Sequence, residues 1–320
     1  MNLSIIIPVF NSSDLLARLL YSIFEKNMEC VSLQIVIVDD GSKVLVDNEL
    51  DKIKKIALIK NIELIVIRQQ NSGPAVARNT GLNYAKGDYI WFCDADDYIL
   101  GECFNSFVKK YPFQILEFGY YDECIKYYYI PDYKKSISTL DYLKKTDGRF
   151  YLWNKVFHKS VLKNQYFDER LLSLEDYIYC IYIFSKNYYI TPLHEVFYEY
   201  KFNEQSITKK IDEEKKIKMS YNTFIVHQEI IKIMRGNQKF FFVFERLFAI
   251  SLAGYIFSLI KLKYQKHYFV EAFYFYLNNN IRYISPFYFF NFRQIKLFVF
   301  ICLINLFLMI FLVKKKIAKV

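Results

Sequence analysis

An alternation over the first hundred residues limits most strongly what this chain can fold into. Four short apolar, β-branched runs each stop at a polar turn, and helical patterns separate them. "LSIIIPVF" (3–10) reads as a buried strand. Asn11, Ser12 and Ser13 then supply an N-cap signal, and Leu15, Leu16, Leu19, Leu20 and Ile23 recur at helical spacing. "LQIVIV" (Leu33 to Val38) is a second strand that stops at Asp39-Asp40-Gly41-Ser42, and a helix with Leu50, Ile53, Ile56 and Ala57 on one face follows. "IELIVI" (Ile62 to Ile67) is a third strand, after which Pro74 opens a helix running to about Ala85. "YIWFC" (Tyr89 to Cys93) is a fourth, and it ends in Asp94-Ala95-Asp96-Asp97.

Strands alternating with helices imply an α/β domain whose parallel strands are joined by right-handed crossovers. In such sheets ligands bind beyond the carboxyl ends of the strands. Both acidic clusters fall at those ends, so this topology gathers them on one rim. Carboxylates so close together repel, and a divalent cation shared with an anionic ligand would relieve that repulsion.

The 320-residue length suits a catalytic domain with an appendage, or two domains. At 53% hydrophobic and 24% charged the chain can bury a large core, which excludes global disorder. The six cysteines show no CxxC spacing, so neither a disulfide framework nor a zinc site is expected, and reduced thiols fit a cytosolic environment. Met1 to Asn11 carries no basic leader and reads as a strand, not a signal peptide. Aromatics are abundant, but nothing arranges them as a nucleic-acid surface, and no nucleic-acid partner is expected.

Past residue 100 the pattern loosens. "FQILEFGYY" reads as a strand, Thr139 to Lys145 as a short helix, and Ser173 as a cap before an apolar helix from Tyr177. "EVFYEYKF" alternates like a strand, and Asp212 to about Tyr276 reads as helical.

Mg²⁺ and Mn²⁺ prefer carboxylate and phosphate oxygens, and a magnesium site takes one or two protein carboxylates with diphosphate and water completing six. In Asp94-Ala95-Asp96 one Asp can bind metal while its neighbour accepts from a ribose. A lone DxD is more often a solvated turn, but the buried strand before it and the matching acidic strand end favour the metal. Asp39 and Asp40 could accept from a uracil N–H or ribose hydroxyls, or could simply form an Asx-turn. Arg78 could meet a phosphate bidentately, hold a rim carboxylate, or bridge two loops. Trp153 could offer an apolar platform to a sugar face or be a core residue.

Taken together, "SIIIPVFN", "VDDGS", "NSGPAVARNTGL" and "GDYIWFCDADD" resemble the family 2 glycosyltransferases, inverting nucleotide-sugar enzymes with a GT-A fold. "LWNKVFHKSVL" resembles the Trp-Asn-Lys block of bacterial members that build surface polysaccharides, "SLEDYIY" their Glu-Asp block, and "FYEYKFNEQSIT" the close of the catalytic domain. The resemblance covers about two thirds of the chain. It implies a Rossmann-like, mixed and mostly parallel sheet flanked by helices; the C-terminal third lies outside it and reads, from its own pattern and charge, as a helical, membrane-associating region. It implies that Pro8 and Val9 line a base pocket, that Asp39 contacts the base and Asp40 the nucleoside, and that Asp94 and Ala95 lie by the ribose. Asp96 would bind Mg²⁺ or Mn²⁺ with the diphosphate, Lys201 would meet phosphate, and Asp176 would be the general base. Trp153, Asn154, Lys155 and Glu175 would contact the acceptor. Glu199 stands where relatives often have histidine, and His194 is a weak substitute for that ligand.

The implied domains are a catalytic unit at 1–210 (donor half about 1–100, acceptor half about 101–210), a helical region at 211–290 and a tail at 291–320. After Arg246 ten basic residues face the single acid Glu271, so nearly all of the net charge of +10 sits there. Leu297 to Val313 has one polar member, Asn305, between Arg293 and Lys296 on one side and Lys314, Lys315 and Lys316 on the other. At ~1.5 Å per residue it spans roughly 25 Å, short of the ~30 Å hydrocarbon core. An in-plane or re-entrant helix on an anionic membrane fits, with a buried terminal helix or oligomer contact as the alternative. The expected protein transfers a sugar from a UDP-sugar to a lipid-linked glycan at the cytoplasmic face of a bacterial inner membrane. The alternatives are transfer to a polyprenyl phosphate and a catalytically dead, nucleotide-binding scaffold.

Overall fold

Runs of β-branched residues set the frame. In a computed structural model, which describes residues 1–26, 28–43, 47–146, 149–171, 173–201, 222, 225, 226 and 228–233, they pair as the centre of one ten-stranded sheet. The first half reads β1 (Asn2–Val9), α1 (Ser13–Phe24), β2 (Ser32–Asp39), α2 (Asp47–Ile59), β3 (Glu63–Arg68), α3 (Pro74–Tyr84) and β4 (Tyr89–Phe92). β1 lies between β2 and β4, all parallel, and β2 pairs with β3 on its far side. Ile5, Ile7, Ile35 and Ile37 are buried among Leu16, Leu19, Leu20 and Ile23 of the first helix. Burying each such side chain is worth about 1.5–3 kcal/mol, which makes this the anchor of the sheet. Against β1 packs α3, where a Cβ on Gly81 would stand 2.3 Å from a methyl of Ile6, so only glycine permits that approach.

The second half is β5 (Tyr98–Ile99), α4 (Cys103–Lys110), β6 (Ile115–Asp122), β7 (Tyr127–Tyr129), β8 (Ile137–Ser138), α5 (Thr139–Thr146), β9 (Lys155–His158), α6 (Lys159–Leu162), α7 (Glu175–Phe184) and β10 (Tyr189–Tyr200). The sheet order is β3-β2-β1-β4-β9-β6-β10-β5, with β7 on β6 and β8 on β10. β9 runs antiparallel to both β4 and β6, so β6, and β10 parallel to it, point the same way as β1, β2 and β4. The sheet is therefore mixed and mostly parallel, as expected, and the ends of β2, β4, β6 and β10 face one rim. β9, inverted between β4 and β6, joins the two halves.

Several local expectations differ from the structure. β5, β7, β8 and β9 carry no clear period in sequence because each is short, and α4, whose buried face includes Cys103, Phe104 and Phe107, went unread. β10 begins six residues before "EVFYEYKF", and the register shifts between Leu193 and Val196 hide its alternation. Leu174, in the left-handed region at φ 65°, takes the cap position of α7, so Ser173 does not, and the helix starts at Glu175. The Ser12 side chain makes no cap bond; Asn11, at φ 51°, instead links β1 to the next loop, donating its N–H to Ser42 Oγ at 2.9 Å and accepting from Lys43 N–H at 2.8 Å.

The chain divides into two compact units, Met1–Glu214 and Lys215–Val320. In the second unit residues 222, 225, 226 and 228–233 are helical, and Val226 and Ile230 are buried. The apolar stretch Leu297 to Val313 and the basic tail lie outside the described residues. Among the described residues no helix is long and apolar enough to cross a membrane.

Candidate active site

The site grows from the strand ends. β1 closes on Pro8 and Val9, which pair with Val38 and Asp39 of β2, so all four stand at one level of the rim. Asp39 is buried; its Oδ1 accepts from Ser42 N–H at 2.9 Å. Its Oδ2 has no hydrogen-bond partner, and the nearest cation, Arg68, stands at 3.6 Å. A buried carboxylate oxygen without a donor costs about 1–3 kcal/mol unless a ligand supplies one. Asp40, expected at the nucleoside, is committed elsewhere. Its Oδ1 accepts from Gln69 Nε2 and Ser72 N–H, and its Oδ2 from Gly73 N–H, all within 2.9 Å. It clasps the loop that opens α3, and Gly41 keeps that loop close: at φ +78° a Cβ there would lie 2.8 Å from Asn71 N.

Past β4 the acids diverge. Asp97 turns into the core, where Tyr198 donates its hydroxyl at 2.7 Å and Lys201 its backbone N–H at 2.9 Å. Burial, then the charges of Asp94 and Asp96, hold its carboxyl well above the usual carboxylate range. Asp94 and Asp96 remain partly exposed, while Ala95 packs into the core. Arg18 of α1 steadies this loop by donating to the Asp96 carbonyl at 2.6 Å.

Arg78 takes the rim-carboxylate option. Buried on α3, it donates to Asp94 at 2.9 Å and to Glu175 at 2.7 Å. Burial works against its charge, but Asp94, Glu175 and Asp176 outweigh it and raise its pKa above the ordinary value. Nη1 and Nη2 each hold one of those carboxylates while Nε is buried without a partner, so the geometry makes Arg78 a bridge between Asp94 and Glu175. Glu175, expected at the acceptor, is likewise buried and spent on Arg78. Asp176, the next residue, is left partly exposed in the first turn of α7. Burial and then the charge of Glu175 push its carboxyl up to about 7, against Arg78 and the Tyr177 N–H, which donates to it at 2.7 Å. A carboxyl near neutrality is suited to accept a proton from a hydroxyl.

The Trp-Asn-Lys block lies deeper than expected. Asn154 and Lys155 are fully buried. Lys155 Nζ donates to the carbonyls of Arg149 and Tyr151 at 3.1 and 3.0 Å and to Asn154 at 2.9 Å, and stands 3.3 Å from Glu117. Tyr129, Tyr133 and Tyr142 all donate hydroxyls to the same Glu117. These two block residues thus build the site's foundation, since their side chains cannot reach an acceptor. Trp153 is also buried, packed nearly parallel to Tyr151, Tyr198 and Tyr200 with Tyr120 at its edge. Lys201 pairs with Glu199 at 2.8 Å and Glu123 at 3.2 Å, both in competition with any phosphate. His194 is exposed and bonds to the Tyr133 carbonyl, the structural role rather than a ligand's.

Among the described residues no three His, Cys, Asp or Glu side chains gather to ligate a metal alone. The rim still fits a magnesium-type ion, because Asp94 and Asp96 offer hard oxygens and such ions need few protein carboxylates beside a diphosphate. Sequence reasoning missed Arg18, Glu117, Tyr151 and Tyr198. A lone Glu within "FQILEFGYY" was the one available signal, as a charge inside a strand that reads as buried.

Residues 4–153 match the family described as Glycosyl transferase family 2. A poly(ribitol-phosphate) beta-glucosyltransferase of Bacillus spizizenii is 39% identical over 103 residues, 32% of this chain and 16% of that protein. A GalNAc(5)-diNAcBac-PP-undecaprenol beta-1,3-glucosyltransferase of Campylobacter jejuni is 27% identical over 250 residues, 73% of this chain and 74% of that one. The chain spans less than two thirds of the length of most of the curated relatives it matches. In structure it is similar to Staphylococcus aureus TarS 1–349 in complex with UDP-GlcNAc, with a TM-score of 0.65 and 18% identity, over 90% of this chain and 83% of that one. That likeness speaks to the fold.

Proposed function

We propose, on the premise that the chain carries a family 2 glycosyltransferase domain over residues 4–153, that it moves a sugar from a nucleoside diphosphate donor to a hydroxyl of a bacterial surface glycan, with inversion. The observation that carries this is the Arg78 bridge. It ties the acidic donor rim, at Asp94, to the first turn of α7, where Asp176 is tuned to about 7.

In this reading the base of the donor enters beside Pro8 and Val9, and its ring N–H completes Asp39 Oδ2. Uracil and guanine carry such a ring N–H and cytosine does not, and the UDP-GlcNAc complex of the similar TarS favours uracil, hence a UDP-sugar. Asp94 meets the ribose and Asp96 lies by the diphosphate. Bound there, Mg²⁺ or Mn²⁺ would neutralise charge growing on the leaving diphosphate. Asp176 takes the proton of the attacking hydroxyl, and one base with direct displacement inverts the anomeric centre. The acceptor is a lipid-linked or polymeric glycan; the names of the Bacillus and Campylobacter relatives favour it. The C-terminal apolar, basic segment would hold the protein on an anionic membrane at the cytoplasmic face, where nucleotide sugars are made. Pelleting with membranes, abolished by deletion from Arg293 onward, tests that placement.

A panel of UDP-, GDP- and CDP-sugars, read by nucleotide release with Mg²⁺ or Mn²⁺, tests the reaction. Release from a UDP-sugar, lost on chelation and stimulated by bacterial membranes, is the expected result. No release from any donor sinks the proposal and favours a nucleotide-binding scaffold.

A further inference from the structure

Trp153 cannot serve as an open platform, because flat rings already cover it. Tyr151 can. Its ring lies on the indole with 4.9 Å between centroids and 18° between planes, yet it is 42% exposed where Trp153 is 7% exposed. The geometry points to Tyr151 as the acceptor platform, the surface on which the apolar face of an acceptor sugar ring stacks. This inference deepens the proposed function and rests on it.

Position is the first argument. On one side Tyr151 stacks on Trp153, which stacks on Tyr198, whose hydroxyl accepts from Asp94 N–H and donates to Asp97. On the other side its neighbour Phe150 packs against Tyr177, the residue after Asp176, with ring centroids 4.5 Å apart. Tyr151 thus stands between the donor rim and the base, where an acceptor must lie. Its phenol is raised above the ordinary value, first by burial, and Asp122 and Asp176 add to the rise against Arg149. Its hydroxyl therefore lies within electrostatic reach of the base.

Rigidity is the second argument. Lys155 Nζ holds the carbonyls of Arg149 and Tyr151, and Lys155 is itself fixed by Glu117 in the core. The Tyr120 edge, 5.9 Å from the Tyr151 ring at 82°, restrains it further. A flat ring held in advance loses little freedom on binding, and a face of C–H groups on a pyranose suits it. The Tyr151 ring rests on the buried indole and its carbonyl on the buried Lys155 Nζ, so ring and backbone are both held.

The test uses the full chain, a UDP-sugar donor and a panel of soluble hexose and N-acetylhexosamine oligosaccharides. Tyr151→Ala is expected to raise the acceptor KM about tenfold with a smaller change in the KM for the donor. Tyr151→Phe, which keeps the face and loses the hydroxyl, is expected to stay within about twofold of wild type. An unchanged acceptor KM in Tyr151→Ala overturns the proposal, and so does a Phe variant as impaired as the Ala variant. Calorimetry of oligosaccharide binding without donor separates this inference from the one beneath it. Tyr151-dependent binding with no transfer keeps the platform and sinks the transferase reading. Transfer with Tyr151-independent binding does the reverse.

Discussion

The two halves of the sheet handle their charged groups in opposite ways. Around β1, β2 and β4 the carboxylates gather at the strand ends, where Asp94 and Asp96 stay partly exposed and the buried Asp39 keeps an oxygen without a hydrogen-bond partner. Between β9 and β6 the charges of Lys155 and Glu117 are sunk in the core, paired with each other and with the hydroxyls of three tyrosines. One half presents chemistry; the other spends it on holding a surface still. Arg78 and α7 join the two, so the base belongs to neither half alone.

The sharpest way to break this division is at the junction. Asp176→Asn should lower transfer by about 100- to 10,000-fold, the usual contribution of a general base, while UDP binding stays near wild type by calorimetry. A variant with more than a tenth of wild-type rate would remove Asp176 from the mechanism. The same variant carries a stability signature. The folded carboxyl titrates at about 7, above its unfolded value, so the folded state holds that proton more tightly. Its contribution is fully present below the unfolded pKa and is lost as pH rises through about 7. The Tm of Asp176→Asn relative to wild type should therefore improve between pH 5 and pH 8. A gap independent of pH would contradict the assigned shift.

The buried half should respond in stability first. Lys155→Met leaves Glu117 in the core without its counter-charge, held by tyrosine hydroxyls alone, and breaking such a buried pair costs about 3–5 kcal/mol. Lys155→Met with Glu117→Leu removes both charges and should recover part of that loss in denaturant melts. If the single variant is as stable as wild type, the pair is not holding the 149–155 segment.

A third test returns to the junction by pH. The proton must leave the Asp176 carboxyl before that group can act as a base, so turnover should rise with pH and level off above about 7. Glu175 adds to that shift, so Glu175→Gln should move the rise to lower pH. A profile unmoved by the change would place the titrating group elsewhere.

How much of this was legible in the sequence follows the same division. In the donor half, buried β-branched runs mark the strands and acids mark their ends, so the rim could be drawn from Asp39 and Asp94 before any coordinates. The antiparallel insertion could not. Lys155 occupies a four-residue strand with no readable period, and its partner Glu117 lies 38 positions earlier, a pairing that only the sheet order creates. Asp40 shows the limit inside the legible half as well. Beside Asp39 in sequence, it has an equal claim on a ligand, and only the path of the 69–73 loop decides that it clasps backbone instead.

The smallest expected effect tests that last distinction. Asp39→Asn keeps an oxygen for the Ser42 N–H but puts an amide donor where Oδ2 stood, so it can no longer accept from a base N–H. The KM for a UDP-sugar should rise about tenfold, the lower end for a hydrogen bond to a charged group, with a smaller change in kcat. Stability should hold or improve slightly, since a buried charge without a hydrogen bond to Oδ2 has been removed. Asp40→Asn keeps one oxygen but turns the other, which accepts from either Ser72 N–H or Gly73 N–H, into an amide donor, so it should lower Tm, with the donor KM following only through the loop. Should Asp39→Asn lower Tm while the UDP-sugar KM stays put, Asp39 would be a second clasp, and the rim would have no group to read the base.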